Sequence, residues 1–214
     1  MCSLQQESYK LAYKLVCEQL AGMDMEEQCR RSGAQYVSYG SEAMKQSPTK
    51  IIIEYLNRAY LITFGDIEVS LASSNEEVPL KDKILILRYL TSAKGTLATG
   101  KLITFKQLPG VVSYFPVFSQ RTIGPLLNCF GKEPELLIDT AAKLRGYKAN
   151  YGDVSVTINA FPRVPITIAL WRGDDEFPSN GSIMFDANIS DYLSIEDICV
   201  LCETITWRLI RSLR

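Results

Sequence analysis

The strongest constraint on this chain lies between residues 153 and 186, where three stretches alternate apolar and polar residues at the period of a strand. Asp153–Phe161 sets Val154, Val156, Ile158 and Ala160 against Ser155, Thr157 and Asn159, as a half-buried strand does. Pro165–Arg172 repeats the pattern with Ile166, Ile168 and Leu170, and Ser182–Asp186 is a shorter third run. The pattern predicts an antiparallel meander over about 153–186. Its connections are stiff and charged. Between Phe161 and Asp186 stand Pro162, Pro165 and Pro178, Trp171, Arg163 and Arg172, and the triplet Asp174-Asp175-Glu176. A surface that must hold one shape needs such residues; an ordinary core segment does not.

The rest of the chain mixes helices with further strands, which makes the fold class α+β. Helical spacing runs over residues 3–20, with Leu11, Leu15 (or Val16) and Leu20 on one stripe. Asp24 with Glu27 reads as an N-cap pair for a short second helix that Gly33 stops. Lys50–Leu56 and Ala59–Phe64 read as a hairpin turning at Asn57-Arg58, followed by a strand at Ile67–Leu71. A helix from Pro79 to about Ala93 comes next, then a short strand near Leu102–Phe105. Helices near Ser113–Phe130 and Glu133–Arg145 each stop at a glycine, Gly131 and Gly146. Ser194 caps a long C-terminal helix, 194–213. Its first turn carries Glu196 and Asp197 and its end Arg208, Arg211 and Arg214, which suits the helix dipole at both ends. No repeat, low-complexity tract or linker interrupts the chain, so the reading is a single α+β domain, 1–214. It comprises a helical segment over 1–33 and a main region over 50–214.

Composition narrows the function classes. The 214 residues contain no histidine, which removes Ser–His and Cys–His nucleophiles, His-ligated zinc and the commonest general base. A net charge of −1 argues against a nucleic-acid surface. The N-terminus has no basic start followed by an apolar run, and the longest apolar stretches, Ile51–Ile53 and Ile84–Leu87, cannot span a bilayer. The expectation is no membrane partner. Cys2, Cys17, Cys29, Cys129, Cys199 and Cys202 are scattered rather than framed, which fits a reducing cytoplasm.

The candidate site residues gather around the meander. Strand reversal puts Asp153, Arg172 and the acidic triplet at one end of the sheet and Arg163 with Asp186 at the other. Pro162 and Pro165 brace Arg163, so its guanidinium loses less freedom when it meets a carboxylate or phosphate. Arg163 is therefore either an anion anchor or the surface partner of Asp186, with Arg172 pairing Asp153. Trp171 and Phe177 flank the acidic loop as a core edge or as a recognition rim. Arg121 is a second anion contact or a helix-end charge. Asp174, Asp175 and Glu176 offer oxygen ligands to Mg²⁺ or Ca²⁺, although no calcium-loop spacing is present. Cys199 and Cys202 look like a metal or redox half-site, but they continue the apolar stripe Ile195, Ile198, Cys202, Ile205, Leu209 and lack a second pair. Leu108-Pro109-Gly110 reads as a plain helix-entry turn.

Taken together, ITFKQLPG (103–110), the series Phe118, Arg121, Pro125-Leu126 and Phe130-Gly131, AFPRVP, LWRGDDEFP and MFD…YLSIED resemble the family known as domain of unknown function 3786. The resemblance covers the chain from about residue 50 to its end. It implies a setting in anaerobic bacteria and archaea, where similar proteins carry an added iron–sulfur-type cysteine module; this chain has no clustered ligands of that kind. It assigns no catalytic residues and no cofactor. Two functions remain open. One is an accessory domain binding a small anionic ligand, cofactor or partner protein. The other is a metal-dependent (Mg²⁺ or Ca²⁺) hydrolase or transferase using Asp174, Asp175 or Glu176.

Overall fold

The computed structural model describes residues 2–37, 50–111 and 113–213; Arg214 and the Cys2 side chain, both noted above, lie outside what is described. The class is α+β, with two antiparallel sheets. Contacts divide the chain into two compact units: residues 1–96 with 191–193, and residues 97–190 with 194–214.

The first unit begins with α1 (Cys2–Ala21) and α2 (Met25–Ser32). Asp24 accepts the Glu27 amide at 3.1 Å, and the Gly33 amide returns to the Cys29 carbonyl, so α2 starts and stops where its caps require. The stripe on α1 is narrower than its spacing predicts. Val16 and Leu20 are buried, whereas Leu11 and Leu15 are 58% and 55% exposed, so only the C-terminal half of the stripe packs. Strands β1 (Gln35–Val37), β2 (Lys50–Tyr55), β3 (Arg58–Thr63) and β4 (Glu68–Leu71) form a four-stranded antiparallel sheet in sequence order. Three-residue β1 is too short to show a pattern and has no counterpart in the sequence reading. The β2–β3 turn lies one residue earlier than expected. Tyr55 pairs with Arg58, and Leu56 and Asn57 take φ of 45° and 65°. Asn57 tolerates the left-handed conformation, and Leu56 accepts it because its side chain is 1% exposed.

Helix α3 (Leu80–Ser92) buries Ile84, Leu87, Tyr89 and Leu90. The unit is completed by Asp191–Leu193, which arrive far later in sequence. The Asp191 carboxylate accepts from Lys94 Nζ and Thr96 Oγ1, both at 2.8 Å. The fully buried Tyr192 stacks on Tyr89 with ring centroids 5.9 Å apart, and its hydroxyl donates to the Thr96 carbonyl.

The second unit contains β5 (Leu102–Thr104), a 3-10 turn over Phe105–Gln107, α4 (Phe115–Arg121), α5 (Ile123–Phe130), α6 (Leu136–Ala142), β6 (Tyr147–Lys148), β7 (Val154–Phe161), β8 (Val164–Trp171), β9 (Asn180–Asp186) and α7 (Ile195–Arg211). Its sheet runs β5-β9-β8-β7-β6, all antiparallel, and contains the expected meander. Helices α4 and α5 replace the single helix expected near 113–130. Pro125 has no N–H to give the Arg121 carbonyl, and its ring crowds that carbonyl, so the chain breaks at Thr122 (φ −126°, ψ −69°). Gly146 is needed for close approach: a Cβ there would sit 2.9 Å from the Ala141 carbonyl oxygen and 3.0 Å from Ile158 Cγ1.

The meander departs from a half-buried sheet in one respect. Ser155, Thr157 and Thr167 are buried, so the face expected to be wet is covered too. Their hydroxyls tolerate it because each has a partner: the Tyr151 amide donates to Ser155 Oγ, and Thr157 faces Thr167. On α7, Ser194 Oγ accepts the Asp197 amide at 3.2 Å, and Arg208 and Arg211 occupy the last turn. Ile198, Cys202, Ile205 and Leu209 are buried, while Ile195 at the helix start is exposed.

Candidate binding groove beside strand β9

The eight residues of β8 stand between Arg163 and Arg172, a separation of about 30 Å over nine steps of roughly 3.3 Å. Arg163 occupies the two-residue turn between Phe161 and Val164 and is half-buried. At the other end, the Arg172 amide donates to Asp153 Oδ2 at 2.7 Å and its guanidinium pairs with Glu135. Both side chains of that ion pair are exposed, so it is weak.

The Asp186 carboxylate is engaged elsewhere than at Arg163. It accepts from the Thr99 amide and hydroxyl and from the amides of Gly100 and Asn188, all within 3.1 Å. Burial pushes its pKa up, but those four donors outweigh burial and hold the group below the ordinary carboxylate value.

The acidic tip is turned on itself. Asp174 Oδ1 accepts from the Glu176 and Phe177 amides at 2.9 and 2.7 Å, and the Asp174 amide donates to the Phe177 carbonyl. Phe177 is 67% exposed. Among the described residues, no three carboxylate or thiol side chains gather as a metal-holding set. Arg121 ends α4 and is exposed; its charge acts on Cys199. Burial outweighs that influence and raises the Cys199 thiol to about 11, and burial also raises the enclosed Cys202. Neither thiol is primed as a nucleophile.

Of the sequence candidates, Trp171 lines a groove. The groove has a cavity of about 250 Å³ and lies where β5 leaves the sheet. Pairing of β5 with β9 stops at Thr104↔Met184. Beyond that pair the Thr104 amide donates to Gln107 Oε1 at 2.8 Å, and the chain winds into the 3-10 turn. Among the described residues, no strand pairs with residues 180–183 on that side. Aromatic rings form the opposite wall. Phe105 stacks on Phe118 with centroids 4.0 Å apart, and Phe115 lies beside Phe118. Lys106 Nζ stands 4.2 Å over the Phe115 ring, an arrangement that fixes a cation at the mouth without neutralising it. Among the described residues, Lys106 is the one charged side chain lining the groove. Trp171 rests against Gly152, whose φ of +59° and 2.7 Å clearance from the Leu170 carbonyl leave no room for a Cβ.

The family described as Domain of unknown function (DUF3786) matches residues 24–208. The chain belongs to that family. No curated protein and no solved structure matches it.

The DUF3786 match starts at the N-cap of α2 and ends within α7, so it takes in every residue of the groove and leaves out α1. Sequence reasoning about this DUF3786 chain missed Lys106, Phe115 and Asn180. The signal was present: ITFKQLPG contains Thr104, Phe105 and Lys106, and Phe118 heads the next motif. No periodicity reveals that these two motifs face the start of β9, because their meeting depends on tertiary structure.

Proposed function

We propose that this chain is a non-catalytic binding domain whose site is the groove beside β9. Lys106 receives the anionic part of the ligand, and the rings of Phe115 and Trp171 hold a flat apolar part. The observation that carries this reading is the ammonium of Lys106 over Phe115, the one charged side chain lining the groove among the described residues. An exposed cation held beside a π-face favours carboxylates and phosphates attached to apolar groups. The absence of histidine from the sequence agrees with recognition rather than acid–base work. A carboxylate enzyme at Asp174–Glu176 draws no support from the tip, because Asp174 already serves its own loop's amides.

A thermal-shift titration of the full chain with benzoate, acetate and inorganic phosphate tests the reading. Benzoate raises the Tm most, and both Lys106→Met and Trp171→Ala abolish the response while leaving the unliganded Tm close to wild type. An equal response in Lys106→Met, or no response to any of the three anions, removes the groove as the site.

A further inference from the structure

The main chain along the groove offers more than a wall. The Leu170 carbonyl accepts the Asp153 amide at 3.0 Å, so the main-chain polar groups of Leu170 face β7. Gly181, paired with Leu170 across β8 and β9, therefore directs its own N–H and C=O away from β8. They face the side that β5 has vacated. The Gly181 amide donates to the carboxamide oxygen of its neighbour Asn180, at 2.8 Å. Such a local side-chain bond exchanges readily for a strand partner. By the two-residue period, Ile183 shares the outward direction, but it is 2% exposed, so the open stretch is Asn180–Ser182.

Natural sheets usually guard an open edge with charge or proline. The stretch Asn180-Gly181-Ser182 carries neither. The charge in the groove sits across from the strand, on Lys106, where it selects rather than repels.

We infer that the groove binds an extended peptide segment of an acidic partner protein, which adds as a strand to β9 at Asn180–Ser182 and places a carboxylate side chain on Lys106. This rests on the groove being the binding site. The edge accommodates about three residues at roughly 3.3 Å each. One face of the added strand reaches the partly exposed Phe115 ring, so an apolar residue alternates with the acidic one. A second copy of this chain fits poorly: edge-to-edge pairing about a twofold axis places one Lys106 near the other.

The test is selection of nine-residue peptides displayed on phage against the full chain, followed by binding measurements on the enriched peptides as free molecules. The expected winners alternate apolar residues with Asp or Glu and bind roughly tenfold or more weakly to Lys106→Glu. Methylating alternate peptide amides abolishes binding, while methylating the amides between them leaves it intact. A charge-reversed peptide, Lys in place of its acidic residue, recovers affinity for Lys106→Glu. Lys106 is exposed, so this variant folds.

Failure to enrich any peptide, or enriched peptides that tolerate methylation at every amide, overturns the strand-docking inference. So does sedimentation showing a dimer that buries the edge. If benzoate still stabilises the protein through Lys106 under those outcomes, the groove stands as a small-anion site and only the peptide assignment falls.

Discussion

Thr157 on β7 and Thr167 on β8 face each other with hydroxyl oxygens 2.8 Å apart, inside a sheet face whose residue pattern reads as wet. One hydroxyl donates and the other accepts, so each is satisfied only by its partner's presence. Replacing either by valine strands a buried hydroxyl and lowers stability by about 1–2 kcal/mol. The double variant Thr157→Val/Thr167→Val recovers most of that loss, because no orphan remains. A double-mutant cycle from urea unfolding checks this; additive losses would mean the pair is not coupled.

Asp186 clamps the loop at Thr99–Gly100 to the end of β9. Its folded pKa lies below the unfolded carboxyl value of about 3.9, so its contribution is fully present above that pH and is lost as pH falls through the folded value. Asp186→Asn turns an amide donor toward groups that are already donors, and it costs about 2–3 kcal/mol at pH 7. Unfolding midpoints of wild type and variant converge as pH drops below about 4. A gap that stays constant with pH would assign the effect to packing instead.

Leu56 holds a positive φ while fully buried, so two effects compete there. Glycine relieves about 1 kcal/mol of backbone strain but removes a buried side chain worth about 2–4 kcal/mol. Leu56→Gly is therefore net destabilising, and a lower Tm is the expected reading. An unchanged or raised Tm would mean that strain dominates.

The thiols separate by burial. Cys129 is exposed, whereas Cys199 and Cys202 are buried and hold their protons well above neutral pH. Brief alkylation of the native protein, read by peptide mass spectrometry, modifies Cys129 long before either of the others. Early labelling of Cys199 would restore the pair as a candidate reactive site.

Much of the fold was legible because local chemistry and tertiary need agree. Asp24, Ser194 and the alternation of β7 and β8 each announce a cap or strand that the structure contains. The misreadings have a common cause. Thr157 and Thr167 look wet because sequence shows a hydroxyl but not its cross-strand partner. Leu11 and Leu15 look buried because spacing shows a stripe but not where its cover ends. The groove is harder still. Trp171 was visible as an aromatic beside a charged tip. Lys106 and Phe115 gain meaning only when β5 stops short and Asn180–Ile183 come alongside them.

The return of Asp191–Leu193 to the first unit affects how the protein is made. Lys94 waits for a partner 97 positions downstream, and Tyr89 for the ring of Tyr192. A nascent chain leaving the ribosome exposes this seam throughout synthesis of the meander, within reach of chaperones and proteases. The part translated first is thus among the last to close.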